Sequence, residues 1–166
     1  PMTSEHLLHT IPPIYDGNSK ILILGSFPSV KSREVSFYYG HPQNRFWRVL
    51  AAVLGCAVPS SNEEKTALLQ SHNIALWDVI KSCDIVGSSD SSIKNVVPND
   101  IGVILSSCGI RQIYSNGKTS EKLFNKYIKD TVGRDTVALP STSPANASYN
   151  LERLTDSWSV IKNNIR

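Results

Sequence analysis

The chain has 166 residues, of which 40% are hydrophobic, and its formal net charge is +3. A chain of this length is expected to form one domain with its own core over residues 1–166, and its hydrophobic content excludes a largely disordered protein. The small positive charge is compatible with an anionic partner such as nucleic acid but does not require one.

Cysteine and histidine usage argues against disulfides, metals and cofactors. Cys56, Cys83 and Cys108 are isolated, and their odd number is typical of free thiols in a reducing compartment such as the cytoplasm. Three thiolates are too few for a four-cysteine iron–sulfur cluster, and the histidines show no zinc-binding spacing such as H-E-x-x-H. We therefore expect no metal and no cofactor.

Membrane association and export are also not expected. The first twenty residues lack the basic start and the apolar run of a signal peptide. No apolar run approaches the roughly 20 residues that a membrane-spanning helix needs.

The first predicted elements are a strand and a helix. "ILILG" (21–25) is a continuous apolar run ended by glycine, which is typical of a strand buried on both faces of a parallel sheet. Residues 42–54 predict a helix, because Pro42 suits a first helical position and Gly55 suits a stop. Its apolar stripe comprises Phe46, Val49, Leu50, Val53 and Leu54.

The middle of the chain predicts a second helix and a second strand. Ser61 and Glu64 form a capping-box pattern, which opens a short helix through Leu69. "IALWDVI" (74–80) is a second apolar strand. The apolar run 101–110 is compatible with a helix or a strand, and we favour the helix.

The last third continues the alternation. Residues 111–117 predict a third strand and 135–140 a fourth, with an amphipathic helix between them. The intervening helix is marked by Leu123, Phe124, Tyr127 and Ile128. A closing helix is marked by Leu151, Leu154, Trp158, Ile161 and Ile165.

This alternation predicts an α/β fold, a three-layer α/β/α sandwich with a short, mostly parallel four-stranded central sheet. Ligands of such sheets bind at the carboxyl ends of the strands. The predicted loops at that end are 25–41, 80–100, 116–118 and 140–149.

Two glycine-containing segments follow predicted strands. "GSFPS" (25–29) has the amide-rich turn that can hold an anion or polarise an oxygen, and it is equally compatible with a simple exit from the strand. "SNGKTSEK" (115–122) contains G-K-T, but a phosphate-binding P-loop requires glycine five residues before Gly117, where Gln112 stands. A nucleotide-hydrolysing site is therefore not predicted.

"LPSTSPANASYN" (139–150) combines small residues, two prolines and four hydroxyl side chains before Tyr149. A low-relief loop of this kind can approach a polymer backbone and donate hydrogen bonds to phosphate. Alternatively, it only leads into the last helix, with Asn150 as the N-cap.

"FYYGHPQNRFW" (37–47) also has more than one interpretation. Tyr38 and Tyr39 are candidates for core packing or for stacking on a ligand, and Asn44 for a helix cap, a ligand reader or a catalytic group. An amide-rich turn, an aromatic–Asn segment and a Ser-Pro loop at one sheet edge are suited to binding a flat heterocycle.

Together these segments resemble the uracil-DNA glycosylase superfamily, in particular its hypoxanthine-DNA (deoxyinosine) glycosylase branch. The resemblance rests on "LGSFPS", "YYGHPQNRFW", "ALWDVI" and "LPSTSPANA", and covers roughly residues 20–160. It implies a monofunctional, metal-free enzyme, a monomer acting on DNA that contains deaminated bases. The implied reaction is hydrolysis of the N-glycosidic bond of deoxyinosine, with uracil or xanthine as further candidate bases.

The chain departs from related branches at two motifs. Where those branches carry a catalytic Asn or Asp, this chain has Phe27, which can neither polarise water nor accept a hydrogen bond. The resemblance implies that the polar catalytic role moves to Asn44. The second motif lacks both the histidine of the efficient uracil enzymes and their bulky wedge leucine, so strong uracil activity is not expected.

The resemblance also implies roles for individual residues. The implied catalytic residue is Asn44, and the implied base-binding residues are Gly25, Ser26, Phe27, Tyr39 and His41. We further expect DNA contacts from Lys31, Arg33, Ser141, Thr142, Ser143 and Asn146. The alternative function is a non-catalytic nucleic-acid or nucleotide-binding module. A small esterase or phosphatase is disfavoured, because neither G-x-S-x-G nor an acidic metal cluster is present.

Overall fold

The structure, a computed structural model, describes residues 3–166. Within them the strands are β1 (Glu5–Leu8), β2 (Ile21–Gly25), β3 (Ile74–Asp78), β4 (Ile80–Ile85), β5 (Lys94–Pro98), β6 (Gln112–Asn116) and β7 (Thr136–Leu139). The helices are α1 (Val30–Val35), α2 (Phe46–Leu54), α3 (Asn62–Ser71), α4 (Gly102–Ser107), α5 (Lys118–Tyr127), α6 (Lys129–Val132) and α7 (Leu151–Trp158). Short 3₁₀ helices cover Asp90–Ser92 and Ser159–Asn163.

The predicted parallel sheet is confirmed. Its strand order is β3-β2-β6-β7, and each neighbouring pair is parallel. Every residue of the inner strand β2 is buried, which explains why its sequence is a continuous apolar run instead of an alternating one. The carboxyl ends of the four strands therefore meet at one edge, where the site lies.

Helices cover both faces of this sheet, as the three-layer prediction requires. On one face Ile21 and Ile23 pack with apolar residues of α2, α3 and α7. On the other face Leu22 and Leu24 pack with Ile104 of α4, Phe124 of α5 and residues of β4. The alternation along β2 thus divides its side chains between two cores.

A second sheet was not predicted. It is antiparallel with strand order β1-β4-β5, and its strands β4 and β5 lie within the predicted loop 80–100. The predicted strand 74–80 ends at Asp78, because the chain changes sheets at Val79 and β4 begins at Ile80. β1 is largely exposed and β5 ends in Pro98, so neither strand has an apolar pattern that reveals it.

Several predicted boundaries also need correction. The helix predicted over 42–54 begins at Phe46, because residues 41–45 form a turn ahead of it. Part of the predicted loop 25–41 is helix α1, which Ser29 caps by accepting a hydrogen bond from Ser32 N (3.1 Å). The closing helix becomes 3₁₀ after Trp158.

Other local predictions are confirmed. Ser61 Oγ caps α3 by accepting from Glu64 N at 3.1 Å, and Asn150 Oδ1 caps α7 by accepting from Arg153 N at 2.8 Å. Gly55 ends α2 in the left-handed conformation. The run 101–110 contains helix α4. No helix in residues 3–166 has the length and apolarity needed to cross a membrane.

Candidate active site

A cavity of about 360 Å³ lies at the carboxyl ends of β2, β3 and β6 and under the loop that follows β7. Most of the predicted base-binding, catalytic and loop residues line it: Gly25, Ser26, Phe27, Tyr39, His41, Asn44, Ser141, Thr142 and Ser143. Asp78, Asp90 and Asn116 line it too, although sequence reasoning did not select them.

Gly25 forms the floor of the cavity. A Cβ atom at this position would lie 2.4 Å from Asp78 Oδ1 and 2.9 Å from Tyr39 Oη. Both distances are shorter than a real Cβ contact, so only glycine leaves room for these two oxygen atoms. The glycine that ends β2 therefore allows two polar groups to meet at the strand end.

Asp78 forms a buried pair with His9. His9 Nε2 lies 2.8 Å from Asp78 Oδ2, and the two side chains are 1% and 5% exposed. His9 follows β1, and its main-chain N–H donates to Lys81 O at 2.7 Å. The antiparallel sheet, which was not predicted, thus places His9 beside Asp78 at the end of β3.

Tyr39 is held in a restricted conformation. Its φ of 52° lies in the left-handed region, and its ring stacks on Phe46 with 4.1 Å between centroids. Its hydroxyl is buried and makes no hydrogen bond of ordinary length and angle within residues 3–166, although the Asn116 side chain is near enough to lower its pKa. Burial, and then the nearby Asp78 carboxylate, raise the pKa of Tyr39 above its ordinary value, so the hydroxyl stays neutral.

Tyr38 serves the core instead. It is 2% exposed, and its hydroxyl donates to Pro12 O at 2.8 Å. Of the two readings for this pair of tyrosines, packing therefore holds for Tyr38, whereas Tyr39 reaches the floor of the cavity.

Asn44 is both a helix cap and a cavity group. Its Oδ1 accepts the main-chain N–H of Phe46 and the hydroxyl of Thr142, each at 2.9 Å. A main-chain N–H can only donate, so the bonded atom must be the amide oxygen. Nδ2 has no protein partner within residues 3–166 and remains available as a donor in the cavity.

Asn116, at the end of β6, fixes the loop after β7. Its Nδ2 donates to Thr142 Oγ1 at 3.0 Å, and its Oδ1 accepts from Thr142 N at 3.1 Å. Thr142 is fully buried, and its hydroxyl in turn donates to Asn44. The predicted DNA-binding residue Thr142 therefore links Asn116 to Asn44.

Arg45 fastens the same loop from the start of α2. Its main-chain N–H donates to Thr142 O at 3.0 Å. Its guanidinium donates to the carbonyl oxygens of Thr142, Ser143, Asn146 and Tyr149. The planar fork of arginine is suited to several acceptors at once, so one residue shapes the roof of the cavity.

Ser26, Phe27 and His41 complete the wall and rim. Ser26 Oγ donates to Asp90 Oδ1 at 3.3 Å, and burial raises the pKa of Asp90 above its ordinary value. The ring of Phe27 lies edge-on to His9 at 6.0 Å. His41 is exposed, and its Nδ1 accepts from Gln43 N at 3.1 Å.

Three predicted DNA-binding residues do not line the cavity. Lys31 is exposed, and its Nζ lies 3.7 Å from Glu34 Oε2. Arg33 donates to Pro28 O at 3.0 Å and lies over the Phe27 ring, so it supports the turn after β2. Asn146 Nδ2 donates to Ser141 O at 3.0 Å within its own loop.

The residues near the cavity that the sequence analysis did not select differ in whether a local sequence signal could have identified them. Asp78 lies within the predicted strand 74–80 and Asn116 within 111–117, so a polar residue in a buried-strand pattern was a usable signal that the strand ends there. His9 lies in an N-terminal segment with no such pattern. Within residues 3–166, no group of three or more His, Cys, Asp or Glu side chains could hold a metal ion.

Comparisons with known proteins agree with this geometry. The family profile described as "Uracil DNA glycosylase superfamily" matches residues 12–163. The chain is 36% identical over 137 residues to a protein of Methanosarcina barkeri named hypoxanthine DNA glycosylase, covering 81% of this chain and 85% of that protein. It is 34% identical over 152 residues to one of the same name from Methanosarcina acetivorans, covering 90% and 94%.

A solved structure is also similar. It is a solution NMR structure from Methanosarcina acetivorans, described provisionally as a uracil DNA glycosylase. It is 33% identical to this chain, has a TM-score of 0.78, and the match covers 92% of this chain and 94% of that one.

Proposed function

This chain belongs to the uracil DNA glycosylase superfamily, and we propose that it removes hypoxanthine from DNA by hydrolysing the N-glycosidic bond of deoxyinosine. The observation that carries the proposal is the cavity, because the segments resembling the branch converge on it from distant parts of the chain. Its volume of about 360 Å³ falls in the ordinary range for small-ligand pockets, about 300–1,000 Å³.

The reaction requires the base to leave the helix stack. Flipping costs a few kcal/mol and is easiest for a mispaired base, which favours lesions over normal pairs. We assign Tyr39 to stacking on the flipped base, a contact worth about 1–3 kcal/mol. Gly25, Ser26, Phe27 and His41 form the surrounding wall and rim in this proposal.

Bond cleavage leaves positive charge on the sugar and negative charge on the base. The free Nδ2 donors of Asn44 are suited to stabilising that departing anion or to holding the attacking water. An amide is a poor general base, so Asn44 acts by positioning and polarisation. The main-chain amides around Ser26 and Phe27 are further candidate donors.

Strand cleavage is not part of the proposal. It would need a lysine that forms a Schiff base with the sugar. None of the cavity-lining residues within 3–166 is a lysine. We therefore expect a monofunctional enzyme that leaves an intact abasic strand.

DNA binding is proposed for the loop after β7 and for two basic residues of α1. Ser141, Thr142 and Ser143 meet the lesion-containing strand, Lys31 and Arg33 approach phosphates, and Asn146 helps to fill the space left by the flipped base. Uracil and xanthine are further candidate substrates. The monomeric state and the cytoplasmic location stay predictions, the latter supported by three free cysteines in residues 3–166.

The test is base release from a duplex with a single deoxyinosine. The wild-type protein should generate an alkali-labile site and free hypoxanthine. The matched duplex with deoxyadenosine at that position should remain intact. Intact deoxyinosine duplex at stoichiometric protein would overturn the proposal and favour the non-catalytic binding module.

A further inference from the structure

Arg153 presents an exposed guanidinium beside the loop after β7. Its Cζ lies 4.1 Å from the centroid of the Tyr149 ring, and its Nη1 donates to Ser148 O at 3.0 Å. The residue as a whole is exposed, yet a ring and a carbonyl oxygen hold its side chain in one position. A guanidinium that stacks on an aromatic ring keeps its N–H groups in its own plane, where they can still donate.

Tyr149 is a firm support for this cation. Its ring is half-buried and packs against the core that includes α2 and α7. Its main-chain N–H donates to Asn146 O at 3.3 Å, and its carbonyl oxygen accepts from Arg45. Because the protein already fixes the ring, the stacked Arg153 loses little further freedom when it binds a ligand.

Arg153 has hydrogen-bond donors that the protein does not use. It makes no ion pair within residues 3–166, although Glu152 and Asp156 belong to the same helix. One carbonyl oxygen accepts from Nη1, and no other acceptor within these residues bonds to the guanidinium. The guanidinium groups of Arg33 and Arg45 are instead bonded to carbonyl oxygens through more than one nitrogen.

The chain next to Arg153 allows a polymer to come close. Pro144, Ala145, Ala147 and Ser148 are exposed, and their side chains are short. Pro144 and Ala145 also line the cavity, so a DNA strand whose nucleotide enters the cavity passes beside this surface. The phosphates of such a strand are anions, and the planar fork of arginine is suited to binding two phosphate oxygens at once.

We propose that Arg153, supported by the Tyr149 ring, binds a backbone phosphate of DNA beside the flipped nucleotide. The pair fixes the position of the strand and reads no base, because phosphates carry no sequence information. This inference rests on the proposed function, since it takes DNA with a flipped nucleotide as the ligand.

The test measures binding without turnover. Fluorescence anisotropy is recorded with duplexes that carry a non-hydrolysable 2′-fluoroarabino analogue of deoxyinosine or of deoxyadenosine. Arg153→Gln should weaken binding of both duplexes by about 10-fold at about 50 mM salt, because a charge-assisted hydrogen bond is lost. It should also reduce the slope of log affinity against log salt by about 0.9, the contribution of one phosphate. An unchanged slope, or a loss confined to the inosine duplex, would overturn the inference.

Lys162→Gln is the matched control, because it changes the net charge by the same amount. Lys162 is exposed in the 3₁₀ helix after α7 and makes no ion pair within residues 3–166. The chain that follows it lies at the amino end of the central sheet, where Ile165 O accepts from Asn73 Nδ2 just before β3. Affinity and slope should remain at wild-type values. An equal loss in Lys162→Gln and Arg153→Gln would mean that only net charge matters.

The support from Tyr149 is tested by a pair of variants. Tyr149→Phe keeps an aromatic ring under the guanidinium and should bind DNA as the wild type does, whereas Tyr149→Leu should bind more weakly although Arg153 is still present. Melting temperatures show whether each variant is folded. Should Tyr149→Leu unfold, Arg153→Lys replaces it, because lysine keeps the charge without the planar stack. Wild-type affinity in the variant that is used would contradict the support.

Base release from a deoxyinosine duplex separates this inference from the proposed function. Binding that depends on Arg153, without any release of hypoxanthine, would sink the proposed function and leave the phosphate contact in place. Release of hypoxanthine by the wild type, with an unchanged salt slope in Arg153→Gln, would sink the phosphate contact alone.

Discussion

The side chain of Asn44 has one end with a structural role and another end that is free for the proposed chemistry. Its oxygen satisfies the first free N–H of α2 and the hydroxyl of Thr142, which leaves the NH₂ group as the part that faces the cavity. The sequence left three alternatives for Asn44: a helix cap, a ligand reader or a catalytic group. The hydrogen bonds make them compatible, because each uses a different end of the same amide.

Replacing Asn44 by aspartate separates these two ends. Asn44→Asp keeps an acceptor for Phe46 N–H but removes the donors and places a charge beside the departing anion. We expect a single-turnover rate of deoxyinosine excision lowered by about 10²–10³-fold, with a near-normal melting temperature. Asn44→Ala should lose a similar rate and also about 1 kcal/mol of stability from the missing cap. Wild-type rates in both variants would leave Asn44 as a cap only.

At the scale of elements, the start of α2 and the loop after β7 behave as one unit. Arg45 donates to four carbonyl oxygens of that loop, and Thr142 connects the loop to Asn44 and to β6. A loop of small residues has little apolar surface of its own to keep it in place. Hydrogen bonds from the half-buried guanidinium of Arg45 therefore hold this loop in place, because apolar packing does not.

Replacing Arg45 by lysine should loosen this unit. Lysine keeps the charge but cannot reach several acceptors at once, so carbonyl oxygens of the loop lose their donors. We expect Arg45→Lys to lower the free energy of unfolding by about 1–3 kcal/mol, measured by denaturant titration, and to lower the excision rate. Arg48→Lys is the matched control, because Arg48 is exposed and makes one long bond to Gln43 O. Equal effects of both variants would contradict the role of Arg45 in holding the loop after β7.

At the scale of the whole molecule, electrostatics offers only a modest attraction to DNA. The net charge is +3, and Arg33 is already engaged with Pro28 O. Affinity for DNA should therefore come from the cavity and from local contacts more than from a general positive field.

This balance predicts a shallow salt dependence. Each neutralised phosphate contributes about 0.9 to the slope of log affinity against log salt, so a few contacts should give a slope of about −3. Fluorescence anisotropy with a duplex that carries a non-hydrolysable 2′-fluoroarabino analogue of deoxyinosine, between about 50 and 200 mM salt, measures this slope. A slope steeper than about −6 would instead indicate an extended phosphate-binding surface.

The sequence alone determined the central sheet, because its strands are marked by local composition. "ILILG" is apolar throughout, since β2 is buried on both faces, and the glycine and capping residues mark their ends within a few positions. The resemblance of four short segments also selected nine of the residues that line the cavity, because the residues of one motif are neighbours in the sequence.

Only the tertiary structure decided the rest. His9 and Asp78 are 69 positions apart, and their contact depends on β1 pairing with β4 after the chain changes sheets at Val79. Short edge strands such as β1 and β5 bury too little to show a pattern, so their pairing is fixed by long-range hydrogen bonds that no local signal records. Asn44 and Thr142, 98 positions apart, meet for the same reason: the parallel strands bring their loops to one edge.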